Sequence, residues 1–266
     1  MLFDFLYGVN TITSLLNINA GHRKIYEIVI NSTKLRSSRI TEIIQKAKVK
    51  NISIHYLNPK DFINYLKANI TGQSVEEGLQ SSQGIIAKTS QYNYSDFGQA
   101  LENELKDKKD GLLVILDEIT DVGNFGSILR NCSAFAVDGV IISKNRCVSA
   151  STRVSKISSG AMEELKIFVV VNIANTIERL KGKGFWIYGT TVAYEQKAVS
   201  ADEINYTFPL AVVFGSEEKG IGSLIKKKCD YLITVKTSGI MKSLNVSSAS
   251  AVTLFIIRHF QKGFSS

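Results

Sequence analysis

The feature that most constrains the fold of this chain is a series of short, almost wholly apolar runs in its second half. They are GLLVILDEI, DGVIIS, EELKIFVVV, FWIYGTTV, PLAVVFGSE and YLITVKT, and the helical patterns that accompany them are GSILRNCSAFA, NTIERLKGKG and the closing KSLNVSSASAVTLFIIRHF. Strands that are apolar along their whole length are typically buried on both faces of a parallel sheet. The alternation therefore predicts an α/β fold, with a mostly parallel sheet and helices on both of its faces.

Composition excludes several classes of protein. The chain has 266 residues, of which 44% are hydrophobic and 21% charged, as expected of an ordered globular protein. No apolar run is long enough to span a bilayer. Met1–Tyr7 lacks a basic start and a small-residue cleavage site, so the sequence predicts a cytoplasmic protein with no secretion signal.

The cysteines and histidines do not form a recognisable site. Cys132, Cys147 and Cys229 are odd in number and form no Cys-x-x-Cys, and the three histidines do not cluster with them. This pattern argues against a disulfide framework. It also predicts no metal site, and there is no Ser-His-Asp signature.

Charge and composition divide the chain into three segments. The net charge of +8 is distributed as +5 over residues 1–90, −2 over 91–110 and +5 over 111–266. The polar middle segment predicts a linker, with at most a short solvated helix at 100–108. The first segment mixes strands with helices and predicts a small α/β unit, with an exposed loop at GQSVEEGLQSSQG. Cationic surface favours a polyanionic partner such as nucleic acid.

Three polar clusters follow predicted strands, in the position where ligands bind open α/β sheets. They are LDEITDVGNFGSILRN, AVVFGSEEKGIGSL and ITVKTSGIMKSLNVSSAS. The first presents Asn124 and Arg130 to a phosphate or hydroxyl, and an ordinary βα turn is the alternative. The second presents Glu217 as an acceptor for a ligand or for the first cluster, and a solvated turn is the alternative. The glycine spacing of the first cluster matches neither a Walker A loop nor GxGxxG.

The third cluster has more polar residues than helix capping requires. Ser243, Asn245, Ser247, Ser248 and Ser250 crowd the entry of an apolar helix, whereas one of them is enough to cap it. A helix entry with spare N–H donors and side-chain oxygens is also suited to hold a polar ligand. Taken alone, this stretch leaves both interpretations open.

Together the clusters resemble the motifs of the SpoU/TrmH class of SPOUT methyltransferases, which methylate ribose 2′-hydroxyls of RNA. The matching stretches are DEITDVGNFGSILRN, VVFGSEEKGIG and ITVKTSGIMKSLNVSSASAV, and they cover nearly all of residues 111–266. LYGVNTITSLL and SSQGIIAKT resemble the L30e-like RNA-binding domain that precedes the catalytic domain in many of these enzymes. The nearest subgroup methylates a guanosine of bacterial 23S ribosomal RNA.

The resemblance implies a site and an assembly. It implies a C-terminal deep trefoil knot, a homodimer with composite active sites, and S-adenosylmethionine as methyl donor. Carried over by motif, the residues that meet the donor are Thr190, Gly215, Val235 and Leu244. Those on the reacting side are Asn124, Arg130, Glu217, Ser243 and Asn245. Relatives often carry proline where this chain has Lys236, so the geometry of the loop after Val235 is open.

Two roles and two rival functions stay open at this point. Arg130 has the position of the family's proposed base, but a guanidinium is always protonated in proteins, so we expect it to clamp a phosphate and the developing oxyanion. Lys226–Lys228 is either a phosphate-contacting patch or a solvated helix face. The rival functions are a tRNA ribose methyltransferase and a non-catalytic RNA-binding or ribosome-assembly protein. Completeness of the polar clusters argues against the second.

Overall fold

The structure, a computed structural model, describes residues 2–17, 22–70, 75–192, 197–240 and 243–261. The first part contains β1 (Phe3–Tyr7), α1 (Val9–Asn17), β2 (Ile25–Asn31), a 3-10 turn (Ser32–Lys34), α2 (Ser38–Val49), β3 (Ser53–Leu57), α3 (Pro59–Asn69), α4 (Val75–Ser82) and β4 (Ile85–Ser90). The second part contains α5 (Phe97–Asn103), β5 (Leu112–Asp117), α6 (Val122–Ala134), β6 (Gly139–Ser143), α7 (Thr152–Ile157), α8 (Ala161–Glu164), β7 (Ile167–Val170), α9 (Ile173–Lys181), β8 (Trp186–Thr190), β9 (Ala198–Ser200), β10 (Leu210–Gly215), α10 (Ser223–Lys228), β11 (Tyr231–Thr234) and α11 (Val246–Phe260).

The apolar runs form one seven-stranded sheet among the described residues. Its strand order is β7-β6-β5-β10-β8-β11-β9, and the paired strands run parallel. Every residue of β5 and β10 is buried, as their unbroken apolar sequences predict. The predicted α/β fold with a mostly parallel sheet is confirmed.

Successive strand residues point to opposite faces of this sheet and meet different helices. Leu113, Ile115, Ala211 and Val213 share one core cluster with apolar residues of α5, α9 and α10. Helices α6 and α11 pack against each other, and α11 also contacts β10. The sheet therefore holds the carboxyl ends of its central strands in fixed register between two helical layers.

The smaller sheet lies in a separate compact unit. Its order is β1-β4-β2-β3, with β4 antiparallel to both neighbours and β2 parallel to β3. This unit comprises residues 1–93 together with 150–164, and the other comprises 94–149 and 165–266. The segment 150–164, which contains α7 and α8, thus packs with the first unit although the predicted boundary placed it in the second.

A buried ionic network ties that segment into the first unit. The guanidinium of Arg23 bonds the carboxylate of Glu163 at 3.0 Å and that of Asp4 at 2.5 Å. Ser155 Oγ also donates to Glu163, at 2.8 Å. Burial raises the pKa of Glu163, and Arg23 opposes that shift. Because removing one partner would leave a buried charge unpaired, this network strongly favours a fixed position for α7 and α8.

Two local predictions differ from the structure. The helix in the 91–110 segment begins at Phe97 and is not solvated, because Asp96 caps it and Phe97, Ala100 and Leu101 are buried. The loop predicted at GQSVEEGLQSSQG contains helix α4, and its residues 72–74 lie outside the described residues. In α5 the buried residues lie among charged and polar ones, and in α4 Leu79 packs against a core cluster. Strands β1 and β9 and helices α7 and α8 were not predicted.

Candidate active site

The candidate site is built on the carboxyl ends of four adjacent strands, β5, β10, β8 and β11. The loop after β5 enters α6, and the loop after β10 runs through residues 216–222. Strand β8 ends at Thr190, and the chain after β11 leads to the entry of α11. The parallel pairing therefore brings the three polar clusters of the sequence to one edge of the sheet.

Three of the predicted catalytic side chains form one hydrogen-bonded cluster. Asn124 Nδ2 donates to Glu217 Oε1 at 2.7 Å, and Asn245 Nδ2 donates to Asn124 Oδ1 at 3.0 Å. Asn245 Nδ2 also donates to Glu217 Oε1. Each residue comes from a different sequence motif, and Asn124 and Glu217 are 93 positions apart. We call Asn124, Glu217 and Asn245 the amide–carboxylate cluster.

Helix capping orients both asparagines. Asp121 Oδ1 accepts from Asn124 N at 2.7 Å and caps α6, whose first turn contains Asn124. Asn245 caps α11, since its Oδ1 accepts from Ser247 N at 2.9 Å and from Ser247 Oγ at 2.6 Å. With Oδ1 of Asn245 committed to the helix, its Nδ2 faces Glu217 and Asn124. Asn245 therefore both caps α11 and belongs to the amide–carboxylate cluster.

A further asparagine joins the two helices that carry the cluster. Asn131 Nδ2 donates to Ser247 O and to Ser250 Oγ, both at 2.9 Å. Ser250 is fully buried, and its Oγ also donates to Ser247 O. The polar residues at the entry of α11 thus divide into distinct roles: Asn245 and Ser247 serve the cluster and the cap, whereas Ser250 serves helix packing.

Arg130 and Ser243 are not joined to this cluster. Both side chains are exposed, and neither has a hydrogen bond or ion pair with any residue that the structure describes. Arg130 lies on α6, six positions after Asn124. The structure therefore brings together three of the five predicted catalytic residues, and leaves these two available to a substrate.

Two clefts meet at Glu217. One, of about 260 Å³, is lined by all four residues predicted to meet the donor, Thr190, Gly215, Val235 and Leu244, and by Ser243. The other, of about 270 Å³, contains Asn124 and the loop before α6. Residues 216–219 and Val246 line both clefts. A ligand in either cleft would thus be adjacent to the cluster.

The loop after β10 requires glycine and a buried carboxylate. A Cβ on Gly215 would lie 2.1 Å from the carbonyl carbon of Gly220, so no side chain fits there. Gly220 has φ +64°, which glycine adopts without strain. Asp117 Oδ2 accepts from Gly222 N at 2.8 Å, and burial raises the pKa of Asp117. The sequence interpretation missed Asp117, although an acidic residue at the end of an apolar strand was a visible signal.

The lysine patch is divided in the structure. Lys226 lines the first cleft, whereas Lys228 pairs with Glu178 at 2.5 Å on the other side of α10. Among the described residues, no group of three His, Cys, Asp or Glu could hold a metal ion. No described helix is long and apolar enough to cross a membrane.

Known proteins are similar to this chain in sequence. The model of the SpoU rRNA Methylase family matches residues 111–255. YacO of Bacillus subtilis, assigned to the TrmH family of tRNA/rRNA methyltransferases, is 32% identical over 252 residues, which cover 95% of this chain and 94% of YacO. A protein of Staphylococcus saprophyticus with the same family assignment is 35% identical over 240 residues, covering 90% of this chain and 89% of that protein.

Solved structures share the architecture at lower identity. The SpoU methyltransferase AviRb from Streptomyces viridochromogenes, in complex with the cofactor AdoMet, has a TM-score of 0.73 at 17% identity, covering 97% of this chain and 90% of AviRb. An AdoMet-bound rRNA methyltransferase from Sinorhizobium meliloti has a TM-score of 0.70 at 19% identity, covering 97% of this chain and 87% of that protein. At these identities, the similarity shows a shared fold only.

Proposed function

The chain belongs to the SpoU rRNA Methylase family, and on that premise we propose that it transfers the methyl group of S-adenosylmethionine to a ribose 2′-hydroxyl of RNA. The observation that carries this proposal is the amide–carboxylate cluster at the junction of two clefts. A two-substrate transfer needs both reactants held side by side, and orientation is the larger part of such catalysis.

The hydrogen bonds of the cluster leave specific groups free for a ribose. Both N–H groups of the Asn245 amide are committed, to Glu217 and to Asn124. Asn124 Nδ2 uses one of its two N–H groups on Glu217. Glu217 Oε2 has no partner among the described residues, and an ionised carboxylate oxygen is an acceptor. We assign Glu217 Oε2 to accept from a substrate hydroxyl, and the second N–H of Asn124 to donate to its oxygen.

The cleft beside Glu217 fits the methyl donor. Its walls combine apolar side chains, such as Ile221 and Leu244, with the backbone at the ends of β8, β10 and β11. Gly215 and Ala249 also line this cleft. We propose that Thr190, Gly215, Val235 and Leu244 hold S-adenosylmethionine there. That cofactor supplies a sulfonium methyl, which an oxygen nucleophile can displace directly.

Arg130 and Ser243 complete the site through the substrate. Arg130 is exposed, and its guanidinium is a fixed fork of donors that suits a phosphate. We assign it to clamp the phosphate beside the target ribose and to stabilise the developing oxyanion. The proton of the hydroxyl leaves to phosphate or water. Ser243 lines the donor cleft and is placed to bind either reactant.

The finer substrate proposal is a guanosine of 23S ribosomal RNA. It is supported by the family description and by the basic first segment, with +5 over residues 1–90. We propose that this segment is an L30e-like RNA-binding domain and that the catalytic domain lies within residues 111–266. The segment 91–110, predicted to be a linker, contains helix α5, which packs into the core of the second unit. Transfer RNA is the main rival, because relatives are assigned to both substrates.

We also propose that the protein is a homodimer and that its C-terminal part is knotted. The dimer is supported by an exposed aromatic surface on α11. Phe255 is 57% exposed and Phe260 50% exposed, and Phe255 packs edge-on to Phe135, which follows α6, at 6.4 Å. Exposed aromatic surface of this kind marks protein–protein contacts. The trefoil knot stays a prediction of the family resemblance.

The test is methyl transfer from tritiated S-adenosylmethionine to unmodified 23S rRNA and to bulk tRNA in parallel. The control variant is Asn245→Ala, with Asn245→Ser beside it, because serine retains a helix cap but no amide. Label in rRNA that disappears in both variants supports the proposal. Label in tRNA alone overturns the rRNA assignment. RNA binding without label in either RNA favours a non-catalytic RNA-binding protein.

A further inference from the structure

A separate cavity lies in the second unit, at the carboxyl ends of β5, β6 and β7, where α9 and α10 begin. Its volume is about 480 Å³, within the range of pockets that bind small molecules, roughly 300–1,000 Å³. Asp117 and Ser143 line it from the sheet, and Asn172 and Leu224 line it from the starts of the two helices. The carboxyl ends of parallel strands are where α/β sheets bind ligands. The cavity therefore occupies a position suited to a ligand, apart from the cleft proposed for the methyl donor.

Two polar side chains stand next to each other on the floor of this cavity. Strands β5 and β6 are paired in parallel up to Leu116 and Ile142, so Asp117 and Ser143 follow in adjacent positions on the same face of the sheet. Asp117 Oδ2 accepts from Gly222 N at 2.8 Å, and Oδ1 has no hydrogen bond with the residues that the structure describes. Ser143 Oγ is buried and has no partner among them either. Since an unsatisfied buried polar group is costly, the floor is suited to a ligand that supplies hydrogen bonds.

Glu118 forms a common wall between this cavity and the cleft that contains Asn124. Its φ of +59° is a left-handed conformation, which is uncommon and strained for a residue with a side chain. Glu118 Oε1 accepts from Arg146 Nη1 at 2.9 Å, and the side chain of Arg146 is 74% exposed. The other N–H groups of this guanidinium have no partner among the described residues and can donate to a ligand. A ligand in the cavity would thus lie beside the place proposed for the reacting ribose.

The lining of the cavity has the chemistry of a nucleobase site. Val171 and Leu224, which are 88% and 59% exposed, supply apolar surface for the face of a flat ring, and the floor and rim supply polar groups for its edge. Two carboxylates against one guanidinium disfavour a phosphate. Guanine matches this set, because its N1–H and N2–H are neighbouring donors for a carboxylate and its O6 and N7 are acceptors for an arginine. The other three RNA bases do not present two neighbouring donors.

We infer that this cavity binds a guanine base of the substrate RNA, at the methylated nucleotide or beside it. The inference rests on the proposed function for the identity of the RNA. Asp117 accepts from N1–H and N2–H of the base, Arg146 donates to O6 and N7, and Ser143 Oγ gains a partner from the same edge. Burial raises the pKa of Asp117, and donors on the base would oppose that shift by favouring the ionised form. The base contact selects the nucleotide, whereas the amide–carboxylate cluster acts on its ribose.

The experiment measures binding of guanosine 5′-monophosphate to the full-length protein by saturation-transfer NMR, without any methyl donor. Inosine and adenosine 5′-monophosphates are titrated beside it, because inosine differs from guanosine only in lacking the 2-amino group. We expect the guanosine nucleotide to bind about tenfold more tightly than either, and the RNA that accepts methyl groups to displace it. Asp117→Asn replaces the free acceptor by a donor and should abolish the preference. Asp107→Asn, at an exposed position, is the matched control and should retain it.

A second variant separates base recognition from the structure of the loop after β10. Arg146→Gln leaves the bond between Asp117 and Gly222 intact, so we expect the KM for RNA to rise about tenfold while kcat is unchanged. Lys144→Gln removes the same charge from an exposed position of the same loop that does not line the cavity, and should keep the KM. An equal rise in both variants would mean a general charge effect and would overturn the role of Arg146. Thermal unfolding establishes that each variant is folded.

The remaining outcomes distinguish this inference from the proposed function. Equal affinity for the three nucleotides, or equal preference in Asp117→Asn and Asp107→Asn, would overturn the guanine assignment. A bound guanosine nucleotide that RNA does not displace would make this a site for a free nucleotide and overturn the RNA assignment. If the unchanged protein methylates RNA but binds none of the three nucleotides, the inference fails and the proposed function stands. If it transfers no methyl group but binds the guanosine nucleotide through Asp117 and releases it to RNA, the proposed function fails and the guanine site stands.

Discussion

At the scale of single residues, Glu217 is the acceptor on which the site depends. In Glu217→Gln, one side-chain oxygen can still accept from the amides of Asn124 and Asn245. The second carboxylate oxygen is replaced by an NH₂ group, so an acceptor becomes a donor. We expect kcat for methyl transfer to fall about 10²-fold, with binding of S-adenosylmethionine unchanged. Glu203→Gln removes the same charge from an exposed carboxylate paired with Lys236 and should keep full activity. Equal activity of the two variants would mean that Glu217 does not contact the reacting ribose.

Ser247 is expected to act through its neighbour. Its Oγ donates to Asn245 Oδ1 and thereby fixes which way the amide points. Ser247→Ala removes that bond and keeps the backbone cap, so we expect kcat to fall about fivefold with the KM for RNA unchanged. Ser248→Ala, on the exposed side of the same turn, is the matched control. A loss of thermal stability without a change in kcat would assign Ser247 to helix structure alone.

Arg130 separates two mechanisms. If it clamps phosphate, Arg130→Lys keeps the charge but loses the fork, so the KM for RNA should rise about tenfold while the pH–rate profile keeps its shape. Steady-state kinetics from about pH 6 to about pH 10, where a lysine would begin to lose its proton, test this. A shifted profile with unchanged RNA affinity would instead make residue 130 the base.

Sequence could predict the members of the site but not all of their partners. Asn124, Glu217 and Asn245 each stand in a polar stretch after an apolar strand, and parallel strands bring such stretches together. The contact of Asn131 with Ser250 spans 119 positions and depends on how α6 packs on α11, which no local pattern encodes. The same holds for Asp117 and Gly222, 105 positions apart. Arg130 shows a different limit. Its place in the motif predicted a catalytic role, but did not predict that its side chain makes no hydrogen bond with the cluster.

At the scale of elements, the sheet was predictable because β5 and β10 are apolar throughout. Helices α7 and α8 were missed because each is short and because the Arg23–Glu163 pair, which fixes α8, joins residues 140 positions apart. Helix α5 was mistaken for linker because its buried residues lie among charges. The elements that sequence missed are those whose stability comes from tertiary contacts rather than from periodicity.

The loop between β10 and α10 is held by Asp117, and that gives it a pH dependence. Burial raises the pKa of this carboxyl, so the folded protein favours the protonated form. Its stabilising contribution is present below the unfolded pKa, about 3.9, and is lost as pH rises through the raised pKa.

Asp117→Asn still accepts from Gly222 N but does not ionise. The Tm of this variant relative to the unchanged protein should therefore be higher at pH 7 than at pH 4. Asp107→Asn, at an exposed site, should show no such trend. A difference that is constant with pH would contradict the assignment.

At the scale of the whole molecule, the exposed aromatic surface on α11 predicts a second copy of the chain. Phe255 is the residue of that surface with the largest exposed fraction, and His259 stacks on it at 5.8 Å. A closed two-fold dimer would bury the same surface on both chains. Phe255→Glu places a charge there in each copy, so we expect light scattering to give the mass of one chain at concentrations where the unchanged protein gives the mass of two.

Val171→Glu is the control, because Val171 is 88% exposed in the same unit but lies at the end of β7, at the edge of the sheet. If Phe255→Glu stays dimeric, another surface pairs the chains. If the unchanged protein is monomeric, one chain must supply the whole site, and the amide–carboxylate cluster with Arg130 would have to serve alone.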